Sequence, residues 1–254
     1  MEMAARCALV LACLPAPEIS DAVALGPQGI AAVPKARRRV TTYVEMSTIG
    51  SAAMRGLADR LAAEGIALVD SPISGGALGA QTGALSVIVS GPAEAVAAAR
   101  PVLEVVGQKV FVVGDTAGQS QTMKLANNLL SLAGMVLASE AVALGARSGL
   151  DPAMMIEVFN ASTGRNSSTV TKFPRAVLTG TFDSGATTAI ATKDLSLAMD
   201  EFSAHHIPAP MTAQARDMMR IARATFGATA DMTTIARLYE QWAGVRMQSP
   251  KKPS

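Results

Sequence analysis

Aromatic side chains are scarce in the 254 residues: six Phe, two Tyr and one Trp. That scarcity argues against a β-sandwich, whose core leans on them, and the abundant Ala, Val, Leu, Gly and Met suit packed helices and Gly-rich turns instead. Charge of one sign is lacking too. Lys and Arg number 22 against 20 Asp and Glu, a net charge of +2, with both signs spread along the chain. Without a basic stripe or an aromatic platform, nucleic acid is set aside as a partner. There are two cysteines. Cys7 and Cys13 lie six residues apart, and in a strand their Cα atoms would be roughly 20 Å apart, too far to bridge. They read as free thiols in a reducing, cytoplasmic compartment. No stretch is apolar for about 20 residues, so no membrane span is expected. No metal site is expected either. The apolar run Cys7–Leu14 imitates a signal peptide. It is short, Glu2 sits where positive charge belongs, and no clean small-x-small cleavage site precedes Pro15. A buried parallel strand is the better reading.

What is present is an alternation. Half the residues are apolar and about a sixth charged, a globular balance with length for one large domain or two modest ones. Strands are expected at 8–14, 41–46, 66–70, 85–89 and 110–113. Helices begin at Pro15-Ala16-Pro17-Glu18 and cover 51–65 and 92–106, the second of these closed by Gly65. Such alternation means a sheet covered by helices on both faces. Lys35 with Arg37-Arg38-Arg39 reads as a solvated loop. From about Gly118 the character changes. Residues 119–147 hold neither proline nor a strong turn signal and are apolar round most of the circumference, as a helix buried in a core or against a partner must be. Asp151-Pro152 caps another helix, and more follow around 192–204, 208–226 and 231–246. The expected division is therefore residues 1–118 as an α/β domain and 119–248 as an all-helical one, with 249–254 as a tail.

Three segments can carry chemistry. In Asp70-Ser71-Pro72-Ile73-Ser74-Gly75-Gly76, a strand ends in a hydroxyl and two glycines whose unobstructed N–H groups can hold a carboxylate. An ordinary strand-to-helix turn would look the same. In Gly118-Gln119-Ser120-Gln121-Thr122-Met123-Lys124-Leu125-Ala126-Asn127-Asn128, Lys124 and Asn128 are four apart and share one helix face. Burial would push such a lysine towards the range of a proton donor or acceptor, with the amide orienting a substrate; a lysine snorkelling from the helix start is the alternative. In Thr192-Lys193-Asp194-Leu195, the simplest reading is a solvated, capped helix start.

In this order the three segments resemble the β-hydroxyacid dehydrogenases, the family of 3-hydroxyisobutyrate and tartronate-semialdehyde dehydrogenases. Leu14-Pro15 and Ser47-Thr48-Ile49 match as well, and the resemblance runs to about residue 246. It implies an incomplete Rossmann-like doubly wound sheet followed by an all-helical, 6-phosphogluconate-dehydrogenase-like domain. It also implies hydride transfer between NAD or NADP and a small 3-hydroxy acid or its semialdehyde. By position, Lys124 would be the general acid/base, Asn128 would orient substrate, and Ser74, Gly75 and Gly76 would hold its carboxylate. Leu14, Pro15 and Thr48 would touch the cofactor, with Lys193 reaching it from the helical domain. The long helix would pack against its counterpart in a homodimer or homotetramer. Residues 162–169 form a polar loop able to read the substrate's far end, with Arg165 as a second anionic contact or simply solvent-facing.

Two departures stand out. Gly50 occupies a position where the family usually has proline, expected to matter only for loop stiffness. No Gly-x-Gly-x-x-Gly turn occurs in the 254 residues, so the pyrophosphate contacts and about sixty residues of the usual βαβ unit have no counterpart. Weak NAD(P) binding is therefore expected, together with an unpaired sheet edge. Two other readings remain: a non-catalytic, dimerising remnant, and an imine reductase, against which Lys124 argues.

Overall fold

Most strand residues are buried because helices cover the sheet; the exception is Lys109–Gly114, where Phe111, Val112 and Val113 stay exposed. The computed structural model describes residues 2–248, so the tail at 249–254 lies outside the described residues. By internal contact density the chain divides into unit 1, Met1–Ala126, and unit 2, Asn127–Ser254.

In unit 1 the order is α1 (Glu2–Arg6), β1 (Leu9–Ala12), α2 (Pro17–Leu25), β2 (Thr42–Glu45), α3 (Ser51–Ala63), β3 (Ala67–Asp70), β4 (Ile73–Ser74), α4 (Gly76–Thr82), β5 (Ser86–Ser90), α5 (Ala93–Val106) and β6 (Lys109–Gly114). The sheet runs β1-β2-β3-β5-β4, with β6 also on β5. β1, β2 and β3 are parallel, in register Leu9↔Thr42↔Ala67. β5 is parallel to β6 but antiparallel to β3 and β4. The doubly wound expectation thus holds in a parallel-dominated sheet with two antiparallel junctions, β3 with β5 at Asp70↔Ser90 and β4 with β5 at Ile73↔Val87. Successive residues face opposite layers. Val10, Tyr43 and Leu68 pack with Met54, Leu57 and Leu61 of α3, while Val44, Val69, Val87 and Val89 pack with Val96, Ala99 and Leu103 of α5. Among the elements given above, α1, β4 and α4 were not expected; β4 and α4 occupy what reads in sequence as a plain glycine turn.

The basic loop is also not solvated throughout. Only 5 % of the Arg38 side chain is exposed, because it donates to the Ala31 and Glu64 carbonyls and pairs with the Glu64 carboxylate. Its partner is 26 residues away, so the local pattern could not reveal it.

The helix expected over 119–147 forms as α6 (Gln119–Arg147), and residues 127–147 of it belong to unit 2. An 18-residue window of α6 has a mean hydropathy of 1.8, long and apolar enough to cross a membrane by length and composition. That corrects the expectation that no stretch would qualify. Half of the window is buried inside the protein, and Glu140 of this helix accepts from the Tyr239 hydroxyl at 2.9 Å. Its apolarity therefore serves a helical core. Unit 2 continues with α7 (Pro152–Ala161), a π-helical segment Ser168–Val177, α8 (Thr188–Ala204), α9 (Pro210–Phe226) and α10 (Ile235–Ala243). Met135, Val142, Phe173, Leu195, Met219 and Ile235 form its centre. Asp151 caps α7 by accepting from Met154 N at 3.0 Å, as expected of that residue before proline.

Candidate functional site

The ends of β1 and β2 are tied together. The Leu14 N–H donates to Ser47 Oγ at 2.6 Å, which holds Leu14-Pro15 beside Ser47-Thr48. Ser47 N in turn donates to Glu45 Oε1 at 3.0 Å, fixing the turn that follows β2. Both loops thus leave the carboxyl ends of neighbouring parallel strands, where doubly wound sheets bind nucleotides. The two tied loops, Leu14-Pro15 and Ser47-Thr48, therefore stand where a nucleotide cofactor would be held.

Sequence reasoning missed what anchors the start of α6 in unit 1. The Gln121 side chain uses its whole hydrogen-bonding capacity. Its Oε1 accepts from Ile49 N at 2.9 Å and Gly50 N at 3.1 Å. Its Nε2 donates to the Ser47 carbonyl at 3.1 Å and to Asp70 Oδ1 at 2.8 Å. Asp70 Oδ2 accepts from Gly118 N at 2.9 Å, Gln121 N at 3.3 Å and Ser90 Oγ at 3.3 Å. Asp70 is fully buried. Burial pushes its carboxyl up to about 6, and the donated hydrogen bonds only partly offset that. One amide and one carboxylate therefore lock together the end of β3, the loop after β2 and the first turn of α6. Both residues lie inside the motifs singled out in sequence, but a partner 51 residues away gives no local signal.

Gly50 is more than a softer link. Its φ is +87°, out of reach of proline, and its N–H is one of the two that Gln121 accepts. The Ser-Gly-Gly segment closes β4 and opens α4, with Gly75 at φ +133° and Gly76 at φ +62°. Both are left-handed conformations that favour glycine, and both glycines are exposed. Lys124, three residues beyond Gln121, is buried with 8 % of its surface exposed.

In unit 2, Asn128 Nδ2 donates to Asp194 Oδ2 at 2.7 Å. Lys193 Nζ lies 3.1 Å from Asp194 Oδ1. The simple reading of Lys193-Asp194 as a helix cap is corrected: α8 starts at Thr188, capped by the Thr187 hydroxyl accepting from Ile190 N at 3.2 Å. Asp194 sits in the second turn, buried, and orients Asn128. Arg165 is exposed. Among the described residues, no group of three or more His, Cys, Asp or Glu side chains converges as a metal site would need.

The chain is similar to known proteins along nearly its whole length. Residues 1–114 match the NAD-binding domain of 6-phosphogluconate dehydrogenase, and residues 118–239 match the NAD-binding domain of NADP-dependent 3-hydroxyisobutyrate dehydrogenase. The chain is 33 % identical to 2-(hydroxymethyl)glutarate dehydrogenase of Eubacterium barkeri over 96 % of its own length and 80 % of that protein. It is 36 % identical to 3-hydroxyisobutyrate dehydrogenase of Pseudomonas aeruginosa over 84 % of this chain and 72 % of that one. The crystal structure of 3-hydroxyisobutyrate dehydrogenase from Salmonella typhimurium superposes with a TM-score of 0.81 at 28 % identity, covering 93 % of this chain and 81 % of that chain. Fold and relatives together define an NAD(P)-dependent oxidoreductase acting on hydroxy acids. The chain belongs to the β-hydroxyacid dehydrogenase family.

Proposed function

We propose that this site interconverts the primary alcohol of a small 3-hydroxy acid and the corresponding semialdehyde, with Lys124 moving the hydroxyl proton. The observation that carries the reading is Lys124 itself: a buried amine on α6, whose first turn is locked by Gln121 and Asp70. Oxidation takes a hydride from the hydroxyl-bearing carbon and a proton from its oxygen. When bound, the nicotinamide supplies the hydride acceptor. Lys124 Nζ accepts the proton in that direction and returns it in reduction. Asn128, one helical turn further on and held by Asp194, orients the substrate without competing for the proton. Ser74, Gly75 and Gly76 receive the carboxylate next to the reacting carbon. Leu14, Pro15 and Thr48 hold the cofactor near the nicotinamide, and Lys193 reaches it from α8.

Substrates of two named relatives, 3-hydroxyisobutyrate and 2-(hydroxymethyl)glutarate, share a hydroxymethyl group one carbon from a carboxylate. That shared fragment is the part Lys124, Asn128 and Ser74-Gly75-Gly76 would bind, so the proposed substrate carries it. Leu130, Leu137 and Leu144 recur every seven residues on α6 and remain 75 %, 51 % and 72 % exposed. Such a stripe supports burial against a second copy, in a homodimer or homotetramer. The exposed free thiols of Cys7 and Cys13 support a cytoplasmic location.

The test is Lys124→Ala, assayed by NAD(P)H formation with 3-hydroxyisobutyrate, alongside fluorescence titration of NADH and NADPH. Turnover falls by about 10²–10⁴-fold while cofactor affinity stays within about threefold. Turnover retained within about tenfold rules the acid/base role out.

A further inference from the structure

The polar loop at 162–169 leads into the π-helical segment Ser168–Val177, a form that is rare and concentrates at functional sites. Its side chains surround one amine. Lys172 Nζ donates to Ser131 Oγ at 2.8 Å, Ser167 Oγ at 3.3 Å and Ser168 Oγ at 3.5 Å. All four residues belong to unit 2. Ser131 lies on α6 three positions after Asn128, so its side chain follows Asn128 along one helix face.

Three features make this more than a satisfied lysine. First, the countercharge is absent: among the described residues no carboxylate pairs with Lys172. Burial alone pushes its ammonium down to about 8. Neutral hydroxyls accept its protons without balancing the charge. Second, the donor count leaves an opening. Ser131 Oγ accepts from both Lys172 and Ser167, whose hydroxyl is 3.2 Å away, so the Ser131 hydrogen remains to be donated. Third, the arrangement is preorganised. Asn166 Oδ1 accepts from Ser168 N at 2.8 Å and Thr169 N at 3.3 Å, and Asn160 Nδ2 donates to the Thr169 carbonyl at 3.0 Å. The whole segment 162–177 carries Arg165, Lys172 and Arg175 and no acidic residue.

We infer that Lys172, with the hydroxyl of Ser131, is a subsite for a second carboxylate, which makes the substrate a hydroxy dicarboxylate rather than a hydroxy monoacid. The inference rests on the reading of Asn128 as substrate-binding and refines its substrate class. The second carboxylate accepts from the Ser131 hydroxyl and, in place of the 3.5 Å bond to Ser168 Oγ, from the ammonium. It supplies the missing negative charge, and charge-assisted bonds of this kind are the strong ones. The anion contact assigned in sequence to exposed Arg165 moves seven residues on, to a side chain held in place.

The test is equilibrium binding to the full chain by calorimetry, with glutarate, its monoamide glutaramate and isobutyrate as probes. Wild type binds glutarate at least about tenfold more tightly than either of the others, the loss expected for one charge-assisted bond. In Lys172→Met this preference collapses towards unity, and Lys172→Arg restores much of it. Equal wild-type affinity for glutarate and glutaramate overturns the subsite, and needs no variant to fold. So does an unchanged preference in Lys172→Met. Glutarate preference without any hydroxy-acid turnover would keep the subsite and sink the dehydrogenase reading; turnover of 3-hydroxyisobutyrate without that preference would do the reverse.

Discussion

Replacing Gln121 by leucine keeps roughly the side-chain volume and deletes four hydrogen bonds at once. The groups stranded are the Ile49 and Gly50 N–H, the Ser47 carbonyl and Asp70 Oδ1, all buried. At a net value of about 1 kcal/mol per bond, unit 1 loses about 4 kcal/mol. Stranded buried groups can cost up to about 3 kcal/mol each, so this is the low end, reached if the loop after β2 relaxes towards water. For a unit of 126 residues the corresponding fall in Tm is roughly 14 °C. Calorimetry measures it, and hydrogen exchange at the Ile49 and Gly50 amides localises it. Gln119→Leu is the control: Gln119 is exposed and accepts only from Thr116 N, so it changes stability by less than about 1 kcal/mol. A Gln121→Leu loss no larger than the control, with both amides still protected, would refute the claim that this amide locks α6 to the loop.

Three further outcomes are expected. Asp70 has a native pKa of about 6 against an ordinary value of 3.8; the unfolded chain then binds fewer protons between those values. The contribution of Asp70 to stability is full below about pH 4 and falls by about 3 kcal/mol as pH rises through 6. Asp70→Asn removes that slope, which thermal melts across pH 4–7 would show. Asp194→Ala frees the Asn128 amide and raises KM for the hydroxy acid by about tenfold, whereas Asp194→Asn, still able to accept, recovers most of it; steady-state kinetics with both variants distinguishes orientation from folding. Leu137→Asp places a charge within the exposed leucine stripe and lowers the mass of the proposed oligomer, read by light scattering; an unchanged mass would refute an interface through this stripe.

Much of this protein is written in local pattern. The short apolar run at Leu9–Ala12 marks a strand of a sheet covered on both faces. The unbroken stretch Gln119–Arg147 marks one long helix because nothing in it can end one. Lys124 and Asn128 stood out as polar residues on one face of an otherwise apolar helix, whereas Lys193 was singled out only by the family resemblance and Ser74 read equally well as part of an ordinary turn. Boundaries drifted by one to four residues, as at α8, where Thr187 caps the helix five positions ahead of Thr192. Ile73–Thr82 and Ser168–Val177 were hidden because glycines and a Ser/Thr run with Pro174 resemble loops.

Sequence by itself determined the class of fold and the order of the motifs, since each depends on spacing along the chain, and it supplied the side chains that the proposed reaction uses. Only the tertiary structure decided how those side chains are held. Gln121 meets Ile49 and Asp70, Asn128 meets Asp194, Arg38 meets Glu64, and Lys172 meets Ser131, across separations of 26 to 72 residues. A hydrogen bond depends on where two groups lie in space. No periodicity along the chain records that.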